Sequence, residues 1–425
     1  MKQIYTVVLY LLLPLVLIRL LWRSLRLPDY RRRWAERFGF LSTSPPTGSL
    51  WIHAVSVGEV QAMELLIRRH LEQYPDQPLF VTTTTPTGSD RVRGLFGDKV
   101  YHSYFPYDLP GSVKRFLQRV QPRLLVIVET EIWPNLLYQC QARNIPVILA
   151  NARLSARSAK GYARLGRFSR EVFSWLDVIA AQSEDDARRF RQLGAGSQSI
   201  QVTGSVKFDL QLPASIQERV QVVRRNWGED RPVWIAASTH EGEEEQILNA
   251  HAEVLKQISC ALLVLVPRHP ERFDKVAHLI GKTPFLFSRR SGHWATDSQV
   301  FLLDSMGELP VFIGAADVAF IGGSLVPVGG HNMLEAAAQG VPVLFGPHVF
   351  NFSAVSRLLL EAQAAHEVDD AQHLAQQVTR LLGDASVRST MGENGRKVVE
   401  QNRGAIERLY KLIGRYSAQA GQTPG

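Results

Sequence analysis

The chain has 425 residues, 45% hydrophobic and 21% charged, which is enough for two domains with separate cores and too apolar for a disordered protein. A net charge of +8 points to anionic partners, whether nucleic acid, an acidic membrane surface or phosphorylated substrates. The two cysteines, Cys140 and Cys260, stand far apart with no CxxC spacing, which excludes a disulfide framework or a cysteine zinc site and fits a reducing compartment.

The first predicted element is the apolar run Ile4 to Ile18, IYTVVLYLLLPLVLI, which stops at Arg19 and resumes as Leu20, Leu21 and Trp22. Its uncharged part is shorter than the roughly 20 residues that span a bilayer, although a snorkelling Arg19 extends it. A cleaved signal peptide is the competing reading, but no small-x-small site follows. The flank is instead basic, with Arg19, Arg23, Arg26, Arg31, Arg32, Arg33 and Arg37. Residues 1–27 are therefore read as a signal anchor or a helix embedded in the membrane surface. The globular part then faces the cytoplasm beside anionic headgroups.

From Leu50 onward strand and helix patterns alternate. LWIHAVSV, LFVTTTT, RLLVIVE, PVILANA, LDVIAAQS and IQVTGSVKFD read as strands. GEVQAMELLIRRHLEQY, IWPNLLYQCQARN and EDDARRFRQLG read as helices, and PTGSDRVRGLF as a turn with a short helix. Such alternation implies a parallel sheet covered on both faces, with ligand groups in the loops at the strands' carboxyl ends. The polar, arginine-bearing stretch 212–230, helical in part, is the expected linker between domains at 28–211 and 231–400. PVWIAAST and CALLVLVP restart the pattern in the second half. A C-terminal helix and polar tail occupy 401–425. The expected class is α/β, two Rossmann-like halves around a central cleft.

The second half is organised around FIGGSLVPVGGHNMLEAAAQGVPVLFGPH, Phe320 to His348. Val318 to Ile321 forms a buried strand, Gly322, Gly323, Gly329 and Gly330 permit tight backbone, and Asn332 to Gln339 has helix-forming composition. Such a turn aims backbone N–H groups at an anion, and Glu335 is placed for a diol such as ribose. An ordinary βαβ crossover would read the same way. Arg268 and His269 follow the strand ALLVLV and suit a phosphate or base edge. Met306, Gly307 and Glu308 offer backbone groups for a nucleobase. Together these corners, with Asn332, Met333, Leu334 and Glu335, describe a nucleotide pocket on one edge of a sheet.

In the first half, Glu59 follows a glycine turn at a strand's end and is a candidate general base. A first-turn glutamate favoured by the helix dipole is the plainer reading. The dipole would hold its pKa down, so a base would need an apolar or acidic neighbour. Glu129 and Glu131 sit together at another strand end, with at most one expected to be chemical, and Lys207 could neutralise a carboxylate or phosphate. No phosphate-loop motif, Asp-x-Asp pair, zinc spacing or nucleic-acid-binding signature occurs, so no metal centre is indicated.

At these residues the sequence resembles the 3-deoxy-D-manno-octulosonic acid (Kdo) transferases of lipopolysaccharide synthesis, inverting glycosyltransferases of the two-domain GT-B fold. The blocks RRRWAERFG, HAVSVGE, TTTTPTGSDRV, VETEIWPN, NARLSARS, TGSVKFD, ASTHEGEEE, LVPRHPERF, MGEL and GGHNMLEAAAQGVPVLFGPHVFNF carry the likeness over nearly the whole chain. The resemblance implies transfer of one or two Kdo residues from CMP-Kdo to a tetra-acylated, bis-phosphorylated lipid A precursor at the cytoplasmic face of the inner membrane, without cofactor, metal or nucleic acid. It implies Glu59 as proton acceptor, Glu129 and Lys207 as transition-state-stabilising positions, and Arg268, His269, Met306 to Glu308 and Asn332 to Glu335 as CMP contacts. It also implies that the C-terminal helix returns to the first domain. The alternatives are a GT-B nucleotide-sugar epimerase, or a CMP-sugar transferase with another lipid acceptor.

Overall fold

The computed structural model describes residues 1–43, 45–213 and 215–420. The last residues of the expected polar tail, 421–425, and Ala214 of the expected linker lie outside the described residues. The chain divides into two compact units. The second is Leu210–Asn402, and the first takes Met1–Asp209 together with the residues from Arg403 on.

The first unit is built on seven strands: β1 Leu50–His53, β2 Leu79–Thr83, β3 Tyr101–Tyr104, β4 Leu124–Val128, β5 Val147–Ala152, β6 Val178–Ala181 and β7 Ile200–Val202. They run parallel in the order β3-β2-β1-β4-β5-β6-β7. β1, β2, β4 and β5 are buried along their whole length, as a sheet covered on both faces demands. On one face Trp51 packs against Phe116 with ring centroids 4.8 Å apart. On the other, Leu50, Ile52 and Val126 meet Ile406, Leu409 and Ile413 of the helix Ala405–Ala420. Asp209 fastens that helix, accepting 2.5 Å hydrogen bonds from the Gly404 and Ile406 amides.

The second unit repeats the plan with β8 Val233–Thr239, β9 Leu262–Pro267, β10 Phe287–Arg289, β11 Val300–Leu302, β12 Val318–Ile321, β13 Val343–Phe345 and β14 Ala365–Glu367. All are parallel, in the order β10-β11-β9-β8-β12-β13-β14. In each unit the order reverses beside the first strand, between β1 and β4 and between β8 and β12. A crevice for ligands opens at such a switch point, at the carboxyl ends of the strands.

Several expectations need correction. The stretch 212–230 is no linker, because its helix Ile216–Trp227 buries Ile216, Val220, Val223 and Trp227 in the second unit. There Trp227 meets Phe301 and Phe312 at ring distances of 5.5 and 5.6 Å. The helix expected from Gly58 to Tyr74 is two, Val57–Ala62 and Glu64–Gln73. PTGSDRVRGLF is a full helix, Pro86–Phe96. The strand expected over IQVTGSVKFD stops at Val202, and Val206–Phe208 is a 3-10 turn.

The N-terminal helix Lys2–Arg26 is long and apolar enough to cross a membrane by length and composition. One stripe of it is partly or fully covered, at Lys2, Tyr5, Thr6, Leu9, Leu13, Leu17, Leu20 and Ser24. This three-or-four spacing is that of a single helix face. Tyr5 Oη donates to Asp108 at 3.0 Å and Thr6 Oγ1 to Asn135 at 3.1 Å, so the helix start is tied to the first unit. Leu11, Leu15, Ile18 and Leu25 stand exposed on the other faces.

Candidate active site

In the first unit the ends of β1 and β4 at the switch point, and the 3-10 turn Val206–Phe208 that follows β7, carry charged groups that influence one another. Ser56 caps the helix Val57–Ala62, its Oγ accepting from the Glu59 amide at 3.4 Å. Glu59 reaches back, its Oε2 accepting from the Val55 amide at 2.7 Å and its Oε1 from the Ser56 hydroxyl at 3.3 Å. This is a capping box shifted by one residue at its second contact. It holds the carboxyl in one place, with the residue only 9% exposed.

Burial pushes the Glu59 carboxyl up to about 8, and the negative charges of Glu129 and Glu131 add to the rise against the hydrogen bonds from Val55 and Ser56. The dipole that was expected to hold it down is outweighed. Glu129 ends β4 with φ +61°, a left-handed conformation uncommon for a residue with a side chain. Its amide still joins the sheet, donating to the Ala150 carbonyl at 2.9 Å. Burial raises Glu131 as well, and the charge of Glu129 adds to it. Burial lowers the Lys207 ammonium, partly offset by Glu129 and reinforced by Arg153. Glu59, Glu129, Glu131, Lys207 and Arg153 thus form one electrostatic group.

Sequence reasoning missed two supports of this group. Asn151, fully buried at φ +51°, accepts from the Val206 amide at 3.2 Å and so fixes the turn carrying Lys207. Arg153 stands among the charges. His53, by contrast, is a core residue. Its Nδ1 lies 2.9 Å from Thr82 Oγ1, its ring stacks on Phe105 at 3.9 Å, and burial lowers it to about 3.

In the second unit the glycine corner after β12 departs from expectation. Glu243, fully buried, accepts from the amides of His240, Gly323, Ser324 and Leu325 at 2.9, 2.7, 3.0 and 2.9 Å. The N–H groups expected to meet an external anion are therefore taken by an internal carboxyl. The following helix, Leu334–Gln339, is only six residues long, and the Leu334 amide donates to Asn332 Oδ1 at 3.1 Å.

The Asn332 side-chain Nδ2 also donates to Glu335 Oε1 at 3.0 Å. Burial raises Glu335, opposed by that hydrogen bond and by the charge of Arg268. Met333 and Leu334 are fully buried, so neither presents its side chain to a ligand. Arg268 and His269 follow β9, exposed to solvent. Glu308 is committed: its carboxylate takes Arg290 through two 3.0 Å hydrogen bonds and Ser305 at 2.5 Å. These bonds hold it below its ordinary value despite burial. That leaves the backbone of Met306 to Glu308, with Gly307 at φ +82°, for a base.

Residues 32–210 match the family model of 3-deoxy-D-manno-octulosonic-acid transferase. The chain is 45% identical to the 3-deoxy-D-manno-octulosonic acid transferase of Haemophilus influenzae over 97% of this chain and 98% of that one. It is 36% identical to the Bordetella pertussis enzyme of the same name over 97% and 98%. The chain belongs to the Kdo transferase family. It is thus a Kdo-transferring glycosyltransferase. A glycosyltransferase structure from Rickettsia africae superimposes with a TM-score of 0.57 at 12% identity, covering 89% of this chain and all of that one. The twin parallel sheets have the GT-B fold.

Proposed function

We propose that this Kdo transferase moves Kdo from CMP-Kdo to a tetra-acylated, bis-phosphorylated lipid A precursor, with inversion, on the cytoplasmic face of the inner membrane. The observation that carries the reading is Glu59. A carboxyl held at about 8 at the switch point of the first sheet is tuned to accept a proton near neutral pH. Glu59 deprotonates the acceptor hydroxyl as that oxygen attacks the anomeric carbon. Lys207 and Glu129 fix the charge around the reacting centre.

The second unit holds the donor. Arg268 and His269 face the phosphate, the backbone of Met306 to Glu308 takes the base, and Asn332 and Glu335 take the ribose. A monophosphate leaving group needs only these side chains to meet its charge, so no metal or other cofactor is invoked. The apolar faces of the helix Lys2–Arg26 enter the lipid. In the first unit the helix Ala156–Arg164 buries none of its residues, and its Arg157, Lys160 and Arg164 line a hollow of about 460 Å³. That cluster suits the acceptor's phosphates.

The test is a transfer assay with CMP-Kdo and the tetra-acylated precursor in the presence of EDTA, reading product mass. Masses raised by one or two Kdo units are expected. No product, from protein that binds CMP, would discard the acceptor assignment.

A further inference from the structure

With the amides of Gly323, Ser324 and Leu325 taken by Glu243, that glycine corner offers a phosphate no donor from these three, and nearby side chains are candidates to meet it. Besides Arg268, three histidines stand there. His240 follows β8, His269 follows β9, and His331 follows the glycine pair Gly329-Gly330. His240 and His331 place their Nε2 atoms 2.7 Å apart, with rings 5.0 Å between centroids and 4° from parallel. His269 lies edge-on to His240 at 5.5 Å.

A hydrogen bond between two imidazole nitrogens needs a single proton between them. One ring is then the Nε2–H tautomer, while the other presents the Nε2 lone pair. Gly323 makes room for this. At φ +67°, a Cβ there would come within 3.0 Å of the His331 ring and 3.4 Å of the His240 ring. Neither histidine is sealed in the core, since both are partly exposed.

We propose that the His240–His331 pair is the phosphate-recognising element of the second unit, opening when a phosphodiester arrives. The pair takes one proton from solvent, the Nε2–Nε2 hydrogen bond breaks, and each ring then has an Nε2–H to donate to a phosphate oxygen. This rests on reading the second unit as the half that binds the CMP-sugar.

The surrounding charges set the sign. Burial, with His240, Arg268 and His269, holds His331 down to about 4. Burial, with His269 and Arg272, lowers His240 against the opposing Glu243 and Glu244. The free pair is therefore uncharged near neutral pH. A contacting anion raises such groups by about one to three pH units or more. When the bond from the anomeric carbon to the phosphate oxygen breaks, its electron pair stays on that oxygen. The phosphate gains a second negative charge, and the protonated pair beside Arg268 meets it by hydrogen bonding, without proton transfer.

The probe is the methyl phosphodiester of CMP, which has no ionisation of its own near neutral pH. Calorimetry of the full-length protein in buffers of different ionisation enthalpy counts the protons taken up. At pH 6.5 about half a proton or more enters per ester bound, and less at pH 8. His331→Asn and His240→Asn each lose the uptake and bind the ester about tenfold more weakly or worse, while cytidine competes as before. If one variant fails to fold, the other variant and the unsubstituted protein still decide. Ester binding without uptake at pH 6.5, or uptake that persists in a folded variant, overturns the role of the pair and leaves the nucleotide site standing. If ester, CMP and cytidine all fail to bind the unsubstituted protein, the nucleotide reading itself falls.

Discussion

At the carboxyl end of its first strand each unit carries a glycine followed by a buried glutamate, Gly58-Glu59 after β1 and Gly242-Glu243 after β8. Both glutamates stand at a switch point and both turn back toward their own strand. They differ in what reaches them. Glu243 accepts four backbone amides, three of them from the neighbouring glycine corner. Glu59 accepts one amide and a long hydroxyl contact, and it faces the charges of Glu129 and Glu131. Amide donors tie up a carboxyl's oxygens and fix a loop, whereas burial beside like charge leaves a carboxyl ready to exchange a proton. One local motif thus serves as a structural acceptor in one unit and is the proposed base in the other, according to its tertiary neighbours.

The largest expected effect follows from the base. Glu59→Gln keeps the shape and an oxygen for the short hydrogen bond from the Val55 amide, giving up only the long contact from the Ser56 hydroxyl, so CMP binding persists while turnover falls about a hundredfold or more. Near-normal turnover in a single-turnover assay would remove Glu59 from the role and void the contrast. The same residue leaves a mark on stability. Its folded value of about 8 lies above the ordinary 4.5, so the fold favours the protonated form. That contribution is full below the ordinary value and is lost as pH climbs through about 8. Melting curves from pH 5 to 9 should therefore flatten in Glu59→Gln.

Next in size is the structural partner. Glu243→Ala leaves four amides without their acceptor, at a cost of about 3 kcal/mol or more by denaturant titration. CMP binding should weaken with it, because the corner leads into Asn332 and Glu335. A variant as stable as the parent would show that the corner does not depend on Glu243. A smaller effect sharpens the comparison from the other side. Glu131→Gln removes one negative charge facing Glu59, and the alkaline-rising limb of kcat/KM should move to lower pH by about half to one unit. An unmoved limb would mean that the charge of Glu131 does not tune Glu59.

Much of the fold could be read from the chain. The runs at β1, β2, β4, β5, β6, β8 and β9 are apolar and bounded by turn residues, and Val318 to Ile321 coincides with β12. What escaped was short or polar. β3 is Tyr-His-Ser-Tyr, its polar groups used by Arg33 and Thr83, and β10, β11 and β14 have three residues each. That the helix Ile216–Trp227 packs into the second unit was hidden by its arginines, although Ile216, Val220, Val223 and Trp227 repeat at helical spacing. Glu59 and Glu129 stand at strand ends, where the alternation puts ligand-facing residues. How deep Glu59 lies, and that Glu243 would claim the glycine corner, depend on contacts across more than 70 residues that no local pattern encodes. HEGEEE offered one signal, an acidic turn at the first corner of the second half that echoes SVGE.

The finest adjustment to the comparison lies in Ser56. Its oxygen accepts the Glu59 amide as helix cap, and its hydroxyl donates weakly to Glu59 Oε1. Ser56→Ala removes both. Losing the cap costs about 1 kcal/mol of stability, a loss that any helix N-terminus would suffer. Losing the donated hydrogen bond is specific to the base, because that bond favours the charged carboxylate and opposes the rise caused by burial. Glu59 should therefore climb further, and the rising limb of kcat/KM should move to higher pH by a few tenths of a unit, opposite in direction to Glu131→Gln. At pH 7 this lowers kcat/KM about twofold, while the alkaline plateau is kept. A stability loss with an unmoved limb would reduce Ser56 to a cap and leave the Val55 amide as the one donor that tunes Glu59.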